Sequence, residues 1–452
     1  MGITQNVAAW AATARYDDLP AEVVGLAKNG ILDTVGVTLA GVEEQAARIT
    51  RQIIEEDGAR PIAGLVGHQL RTSPESAAFL NGTAGHALDY DDVSMAMQGH
   101  PSVVVLPAVL AAAEQAGGSG RDAILGYAVG VEVMSKLGEA MGQGHYELGW
   151  HATCTLGTIA AAAAAGRVLG LDAGQMANAL AIAVSEAGAL QENFGTMVKP
   201  FHAGHGARSG VHAARLARAG FVGNPAIMEA PRGYFARYST GDGHQEAMNR
   251  LGQPWGLQAP GLNVKKYPCC FCTHRAADAI LDMNIDADQL EQVVVHAPKG
   301  DFGPLIHTRP TTGLQGKFSM EYVVAAALLD RRLVLNTFED RRVQRPEAQR
   351  LLQKVQRAPL VGVAGADHPN SAYVEVEARL KDGSKRIAKV EAARGGPDSP
   401  LTEAELDAKF LDCASRVLDT GQARELIAIL RNLDNVPRAA DVVQASLAKV
   451  LA

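Results

Sequence analysis

The sequence predicts a mainly α protein, with one large all-helical domain and a smaller α+β domain inserted before the C-terminal helices. Three observations support this fold class. Apolar residues recur at helical spacing as far as residue 267, and alternating, strand-like patterns appear only later. The 452 residues also include 47 glycines but only 5% aromatic residues. Small side chains let helices approach closely, so we expect a compact helical core that aromatic residues do not dominate.

The helical domain is predicted over residues 1–267. Its first long helix spans residues 20–40, where Val24, Ala27 and Ile31 lie on one stripe, as on the buried face of a helix. Further helices with the same spacing are predicted at residues 101–115, 121–141, 154–169, 172–190 and 205–220.

The pattern changes in residues 268–397. A β-branched run, QVVVH, occupies residues 292–296, and SAYVEVEARL at residues 371–380 alternates apolar and polar side chains. The dipeptide Asp382-Gly383 follows and leads into SKRIAKVE. Alternation on both sides of an Asp-Gly turn is typical of a β-hairpin, so we predict a smaller α+β domain here.

Helices are predicted to resume in residues 398–452. Thr402 and Glu405 have the spacing of a capping box before a run of helical periodicity. We expect these C-terminal helices to pack back on the helical domain, which makes the α+β domain an insertion.

Composition excludes several classes of partner. The net charge is −7, and no long basic run provides the electrostatic footprint of a nucleic-acid-binding protein. The N-terminus has no basic segment followed by an apolar run, and the most apolar window, residues 159–165, is too short to cross a bilayer. Five cysteines in so long a chain do not form a disulfide framework. We therefore expect a cytoplasmic protein with no nucleic-acid or membrane partner.

The stretch GHALDYDDVSMAMQGHPS, residues 85–102, contains two histidines and three aspartates. This mixture suits a metal site, an acid–base site or a solvated loop. An EF-hand loop starting at Asp89 would need glycine where Ser94 stands, and no HExxH motif occurs. Seven of the 13 histidines lie between His86 and His212, which favours acid–base chemistry over a plain loop. No metal ligand and no cofactor are predicted.

Two further segments carry candidate site residues. Tyr146 and His151 precede an alanine-rich helix, where the helix N-terminus disfavours a charged imidazole. Lys199 begins the segment KPFHAGHGARSG, whose glycine-rich helix entry offers free N–H groups to a carboxylate or phosphate. A histidine satisfied by a backbone carbonyl and a glycine packed between helices are the structural alternatives.

The segment KKYPCCFCTH brings Cys269, Cys270 and Cys272 close to one another in the sequence. Adjacent cysteines lack the spacer of a zinc site, and no second CxxC follows, so a metal cluster is not favoured. Lys265 and Lys266 beside them form a cationic patch.

These motifs together resemble the MmgE/PrpD family. The resemblance rests on HALDYDDV and GHPS, GWHATCTLGT, KPFHAGHGARSG, KKYPCC with TH, and KFSMEY, in this order over residues 20–415. The family includes 2-methylcitrate dehydratases, cis-aconitate decarboxylases and iminodisuccinate epimerase. The resemblance implies a large helical domain, a smaller α+β lid, a homodimer and a metal-free active site between the domains.

The resemblance also implies which residues form the site. The positions that match the site of the decarboxylases are Asp89, His100, His151, Lys199, Lys265 and Tyr322. Val93 replaces a threonine, Cys270 replaces a site histidine, and the interval between Asp89 and His100 is one residue longer. These departures argue against a cis-aconitate decarboxylase. We place His202, Lys266 and Cys270 among the substrate-binding residues.

The family reactions share a proton transfer at a carbon next to a carboxylate. Lys199 and Lys265 would stabilise the enediolate-like charge, and His151 or His100 would move the proton. Asp89 would orient a histidine, and Tyr322 would donate a proton from the lid. We expect a lyase that dehydrates a small hydroxy-polycarboxylate similar to 2-methylcitrate. The alternatives are an epimerase of an iminodisuccinate-like substrate, with Tyr146 opposite Lys199, and a non-catalytic anion-binding protein.

Overall fold

The computed structural model describes residues 2–363, 366–368 and 370–448. The chain forms two compact units, Met1–Val264 together with Glu403–Ala452, and Lys265–Thr402. The boundaries predicted from the sequence were residues 267 and 397. Residues 1, 364, 365, 369 and 449–452 of the predicted domains lie outside the described residues.

The first unit is built mainly of helices, as the apolar spacing predicted. With helices and strands numbered in chain order, its helices are α1 (Ile3–Thr13), α2 (Ala21–Gly41), α3 (Gln45–Asp57), α4 (Pro74–His86), α5 (Ser102–Ala116), α6 (Gly120–Met141), α7 (Gln143–Glu147), α8 (Ala152–Thr155), α9 (Gly157–Val168), α10 (Ala173–Glu186), α11 (Val198–Arg218), α12 (Tyr234–Tyr238), α18 (Glu403–Ala414), α19 (Thr420–Arg431) and α20 (Ala440–Ala445). The mainly α fold class is confirmed.

One detail of that prediction is wrong, because this unit is not entirely helical. Strands β1 (Ala63–Leu65) and β2 (His68–Thr72) form an antiparallel hairpin. Gly67 at the turn has a φ of 78°, a left-handed conformation that glycine adopts without steric strain. The short run AGLVGHQLRT alternates too briefly for its period to stand out between two helices.

Helix α11 begins seven residues before the predicted start at residue 205. Pro200 lies in its first turn, where a helix leaves its N–H groups without intrahelical partners, so the missing N–H of proline is tolerated. Lys199 and His202 are therefore helical residues, and not members of a loop that precedes the helix. The predicted helix over residues 154–169 is divided into α8 and α9.

Helices α4 and α11 pack with their backbones in contact. A Cβ atom on Gly204 of α11 would lie 2.2 Å from the carbonyl oxygen of Phe79 and 2.2 Å from Oγ1 of Thr83. A Cβ on Gly82 would lie 2.8 Å from Cα of Gly204. This contact places the C-terminal end of α4, at His86, beside the N-terminal turns of α11.

Helix α2 is long and apolar enough to cross a membrane by length and composition alone. However, 72% of its most apolar window is buried inside the protein, as expected for a core helix. Its neighbour α18, from the C-terminal segment, packs closely against it, since a Cβ on Gly36 would lie 2.9 Å from the Phe410 ring.

A buried ion pair joins the same two helices. Lys409 Nζ of α18 lies 2.7 Å from Oδ1 of Asp33 on α2, and both side chains are almost fully buried. The ammonium also donates a hydrogen bond of 2.9 Å to the carbonyl oxygen of Tyr90. Lys409 therefore ties the segment between α4 and α5 to two helices.

A second buried group, Asp92, caps the start of α5. Its carboxylate accepts hydrogen bonds from the backbone N–H and the hydroxyl of Ser102, and that hydroxyl lies 2.6 Å from the Tyr127 hydroxyl. Burial is the main cause that raises the pKa of Asp92 to about 7, and the nearby Asp33 and Asp91 carboxylates raise it further.

The second unit contains a four-stranded sheet with flanking helices. The strands are β3 (Leu290–Ala297), β4 (Val355–Pro359), β5 (Val374–Leu380) and β6 (Lys385–Val390), and the helices are α13 (His274–Met283), α14 (Gly313–Lys317), α15 (Met320–Asp330), α16 (Asp340–Val343) and α17 (Pro346–Leu351). The strand order is β4-β3-β5-β6, with β3 and β4 parallel and the other neighbours antiparallel. The predicted hairpin is confirmed, because β5 and β6 pair on either side of Asp382-Gly383.

The contact between α4 and α11 yields a prediction. Gly204→Ala should destabilise the protein by about 1–3 kcal/mol or more, because its methyl group would overlap backbone atoms of α4. The matched control is Gly25→Ala on α2, where a Cβ meets no atom of the described residues within 4 Å. Alanine is the better helix former and should stabilise the protein by about 0.5–1 kcal/mol. Urea unfolding of both variants measures the difference. Equal stabilities would contradict the packing described.

The buried Asp92 yields a second prediction. The folded protein keeps this proton up to about pH 7, whereas an unfolded aspartate loses it near pH 4, so wild-type stability falls as the pH rises through this range. Relative to wild type, Asp92→Asn should therefore gain stability with rising pH, by up to about 1.4 kcal/mol per pH unit. Asp57→Asn, at an exposed carboxylate, is the control. The urea midpoints of the variants and the wild type, measured at several pH values, test this prediction. If the midpoints of Asp92→Asn and wild type change with pH in parallel, Asp92 does not keep its proton in the folded protein.

Candidate active site

The segment between α4 and α5 carries Asp89, Asp91 and His100. Its backbone is held by Val93, which exchanges hydrogen bonds of 3.0 and 2.8 Å with Asn263, and by the N–H of His100, which donates to Thr153 Oγ1 at 3.1 Å. Asp89 has a φ of 52°, a left-handed conformation that aspartate tolerates better than most residues. The side chains of Asp89, Asp91 and His100 converge as a result.

Asp91 lies between two imidazole rings. Its Oδ2 is 2.9 Å from Nδ1 of His86 and 3.0 Å from Nδ1 of His100. Burial alone would raise the pKa of Asp91, but the two histidines outweigh it and hold the pKa well below its usual value. Asp91 is therefore a buried anion that fixes the orientation of both rings.

Asp89 forms an ion pair with Lys199. Oδ1 of Asp89 is 2.6 Å from Lys199 Nζ and 3.9 Å from Nε2 of His100. The Lys199 ammonium also lies 5.4 Å from the centre of the Phe194 ring. Both charged side chains are about nine-tenths buried, and electrostatic interactions are strong where water is largely excluded. Lys199 thus supplies a positioned positive charge next to the histidines.

His151 and His202 form a direct pair. Their Nδ1 atoms are 2.9 Å apart, and the His151 ring lies edge-on to Phe194 at 4.8 Å. Burial is the main cause that lowers the pKa of both, well below the ordinary value for His151 and to about 4 for His202, and Lys199 and His86 lower them further. Both rings are therefore neutral at physiological pH.

This arrangement combines the components of a proton-transfer site. It holds an ammonium that can attract a carboxylate and neutral imidazoles that can accept a proton. A buried carboxylate orients two further rings. These groups come from the helix ends at His86 and Lys199 and from segments between helices, all within the first unit.

The cluster also has the dimensions of a metal site. His86, Asp89, Asp91 and His100 each offer a ligand atom, and these atoms lie within 4.8 Å of one another. However, Asp89 already binds the Lys199 ammonium and Asp91 already binds two histidines. A metal ion bound to Asp89 would stand next to a positive charge, so the donor set suits a metal poorly.

The other predicted residues lie elsewhere in the fold. Tyr146, on α7, accepts a hydrogen bond at its carbonyl oxygen from Gln191 Nε2 at 2.7 Å and lines a small cavity with Met97 and Gln98. Lys265, Lys266, Cys270 and Tyr322 belong to the second unit.

Tyr322 is packed into the core of the second unit. Its hydroxyl donates a hydrogen bond of 2.6 Å to the carbonyl oxygen of Thr337, its ring contacts Phe338, and burial raises the pKa of its phenol. To act as the predicted proton donor, Tyr322 would have to give up this hydrogen bond. Its contacts are those of a structural residue.

The cysteines of the second unit are buried. Burial raises the pKa of the Cys269 thiol to about 12, and the Cys270 thiol is the main cause that raises the pKa of Cys272. Thiols in this state are poor nucleophiles. The backbone N–H of Cys270 donates to the Lys317 carbonyl at 2.9 Å.

Sequence reasoning singled out the stretch that contains His86 and Asp91 but did not assign these two residues to the site. The signal was the density of histidine and aspartate within residues 85–102. Their partnership depends on how the segment turns after α4, which no periodic pattern encodes. Lys409 was missed because it lies more than 300 residues from Tyr90.

Comparisons with known proteins agree with this architecture. The models of the MmgE/PrpD N-terminal domain and the MmgE/PrpD C-terminal domain match residues 5–247 and 267–435. Human cis-aconitate decarboxylase is 29% identical over 459 residues, covering 96% of this chain and 92% of the relative. Cis-aconitate decarboxylase of Aspergillus terreus is 28% identical over 467 residues, covering 96% and 94%. The cis-aconitate decarboxylase-like protein oryM of Aspergillus oryzae is 29% identical, covering 94% and 93%. With family models matching most of its length, the chain belongs to the MmgE/PrpD family.

Proposed function

We propose that this protein is a lyase that moves a proton at the carbon next to a carboxylate of a small polycarboxylate, without a metal or organic cofactor. The observation that carries the proposal is the buried ion pair of Lys199 with Asp89 beside the neutral pair of His151 and His202. A site for this reaction needs a fixed positive charge for a carboxylate and an uncharged base nearby.

Substrate binding would itself raise the pKa of the base, His151. Lys199 is one of the charges that lower the pKa of His151. When a substrate carboxylate binds Lys199, it offsets that positive charge, so the pKa of His151 rises toward the range of an effective base. Proton abstraction then leaves negative charge on the carboxylate, where the ammonium stabilises it. His100, oriented by Asp91, is the candidate acid for the leaving group.

Our first choice of reaction is dehydration of a hydroxy acid similar to 2-methylcitrate. Decarboxylation of a cis-aconitate-like acid is the second candidate, because the relatives named above carry that activity in their names and cover nearly the whole chain. Val93 and Cys270, which depart from the decarboxylase pattern, argue against the second candidate. A homodimer and a cytoplasmic location remain predictions from the sequence.

A panel of di- and tricarboxylates in D2O tests the proposal. We expect one substrate to exchange its α-proton and to form an alkene that absorbs in the ultraviolet, with water as the other product. Lys199→Met should lower kcat/KM by about 10²–10³-fold, because it removes a charge that acts in the transition state. Lys385→Met, at an exposed lysine of β6, is the matched control and should keep wild-type activity.

The other outcomes of this panel are distinct. Release of CO2 would support the second candidate. Exchange without an alkene would indicate an epimerase and contradict a lyase. Saturable binding without any exchange would indicate a non-catalytic anion-binding protein.

Metal independence is a separate prediction. Activity should survive prolonged dialysis against EDTA, because Lys199 occupies the side of Asp89 where a cation would bind. Activity that disappears with the chelator and returns with one divalent metal would contradict metal independence.

A further inference from the structure

The contact between His151 and His202 joins two nitrogens of the same kind. Nδ1 of one ring lies 2.9 Å from Nδ1 of the other, and the ring planes are inclined at 57°. A hydrogen bond between two nitrogens needs a proton on one and a lone pair on the other. The two tautomers are therefore linked: one ring carries its proton at Nδ1 with a bare Nε2, and the other carries its proton at Nε2.

We propose that His202 is a positioning residue that accepts the Nδ1–H of His151, fixes its tautomer and leaves the bare Nε2 of His151 as the base. The role of His151 rests on the function proposed above. His202, which we first placed among the substrate-binding residues, then acts through His151 and not on the substrate.

The role of His151 as the base sets the direction of the bond. Nδ1 of His151 is occupied by the contact with His202, so Nε2 is the nitrogen that remains to accept a proton. A neutral ring with a bare Nε2 carries its proton at Nδ1 and donates it to His202. His202 lies on the second turn of α11 and is slightly less buried, at 4% exposure against 1% for His151.

The pair of His151 and His202 also stabilises the proton that His151 takes up in the reaction. When Nε2 of His151 takes a proton from carbon, the ring becomes an imidazolium whose Nδ1–H bond to His202 strengthens. The hydrogen bond therefore favours the charged form of His151. Loss of His202 should lower the apparent pKa of the base as well as release its tautomer.

Substitutions at His202 separate these roles. His202→Asn can place an amide oxygen where Nδ1 stands and still accept the bond, whereas His202→Leu cannot. We expect His202→Leu to lower kcat by on the order of 10²-fold or more with KM little changed, as for other losses of a tautomer-fixing partner. The acid limb of the pH–rate profile of His202→Leu should also shift to lower pH. His202→Asn should restore most of kcat and the position of the limb.

A matched control lies on the same helix. His212→Leu removes a half-exposed histidine that pairs with Glu186 at the surface, and it should leave kcat, KM and the pH profile unchanged. A rise in KM with unchanged kcat in His202→Leu would overturn the proposal and restore a substrate-binding role. Equal losses in the Leu and Asn variants would also overturn it, since an acceptor would then not suffice.

The tautomer can be measured without any substrate. Long-range ¹H–¹⁵N spectra of the protein labelled in its histidine rings, assigned with His151→Phe, should show His151 protonated at Nδ1 only. His151 protonated at Nε2 would overturn the proposal even if the kinetic variants do not fold. If no carboxylate reacts but the spectra show the predicted tautomer, the proposed function fails while the assignment of His202 stands.

Discussion

The close contact of α4 and α11 is the constraint on which the candidate site depends. Gly82 and Gly204 allow the two backbones to touch, so the end of one helix and the beginning of the other lie side by side. His86 terminates α4, and Lys199 and His202 occupy the first two turns of α11. Larger residues at either glycine would separate the helices, and Lys199 would no longer reach Asp89 at 2.6 Å. The glycines of the helical domain thus bring Lys199 and Asp89 close enough to form an ion pair.

Charge is distributed through this interior in matched pairs. Asp33 meets Lys409, Asp89 meets Lys199, and Asp91 meets two histidines. Asp92 accepts hydrogen bonds from the uncharged Ser102, and burial raises its pKa to about 7. A buried charge is strongly destabilising when its partner is removed, so the charged side chains of the cluster depend on one another. This dependence keeps the histidines in a fixed electrostatic environment, which an acid–base site requires.

Much of the fold was accessible from the sequence because it follows from periodicity. The mainly α class follows from the helical spacing, and the β5–β6 hairpin follows from alternation around Asp382-Gly383. The hairpin at Gly67 and the early start of α11 were missed, since strands of three and five residues and a proline in the first turn of a helix leave little periodic signal. The motifs carried the family resemblance, and the family models confirm it.

The pairings inside the site were not accessible in the same way. Asp89 and Lys199 are 110 residues apart, and His151 and His202 are 51 residues apart. Residue type and the family resemblance can identify such residues as candidates, but only the packing of the helices determines which nitrogen faces which oxygen. Asp91 is an example. The sequence analysis assigned its neighbour Asp89 to the site, whereas in the structure Asp91 is the carboxylate that lies between His86 and His100.

Lys409 has a consequence for how the protein is made. It reaches the site segment at Tyr90 and the buried carboxylate of Asp33, yet the ribosome adds it only after the whole of the second unit. While the chain is being synthesised, Asp33 has no ammonium partner, and the helices around it are incomplete. The first unit therefore lacks α18, α19 and α20 until the residues after 402 have been added. The ion pair of Asp33 with Lys409 can form only after that segment has been synthesised.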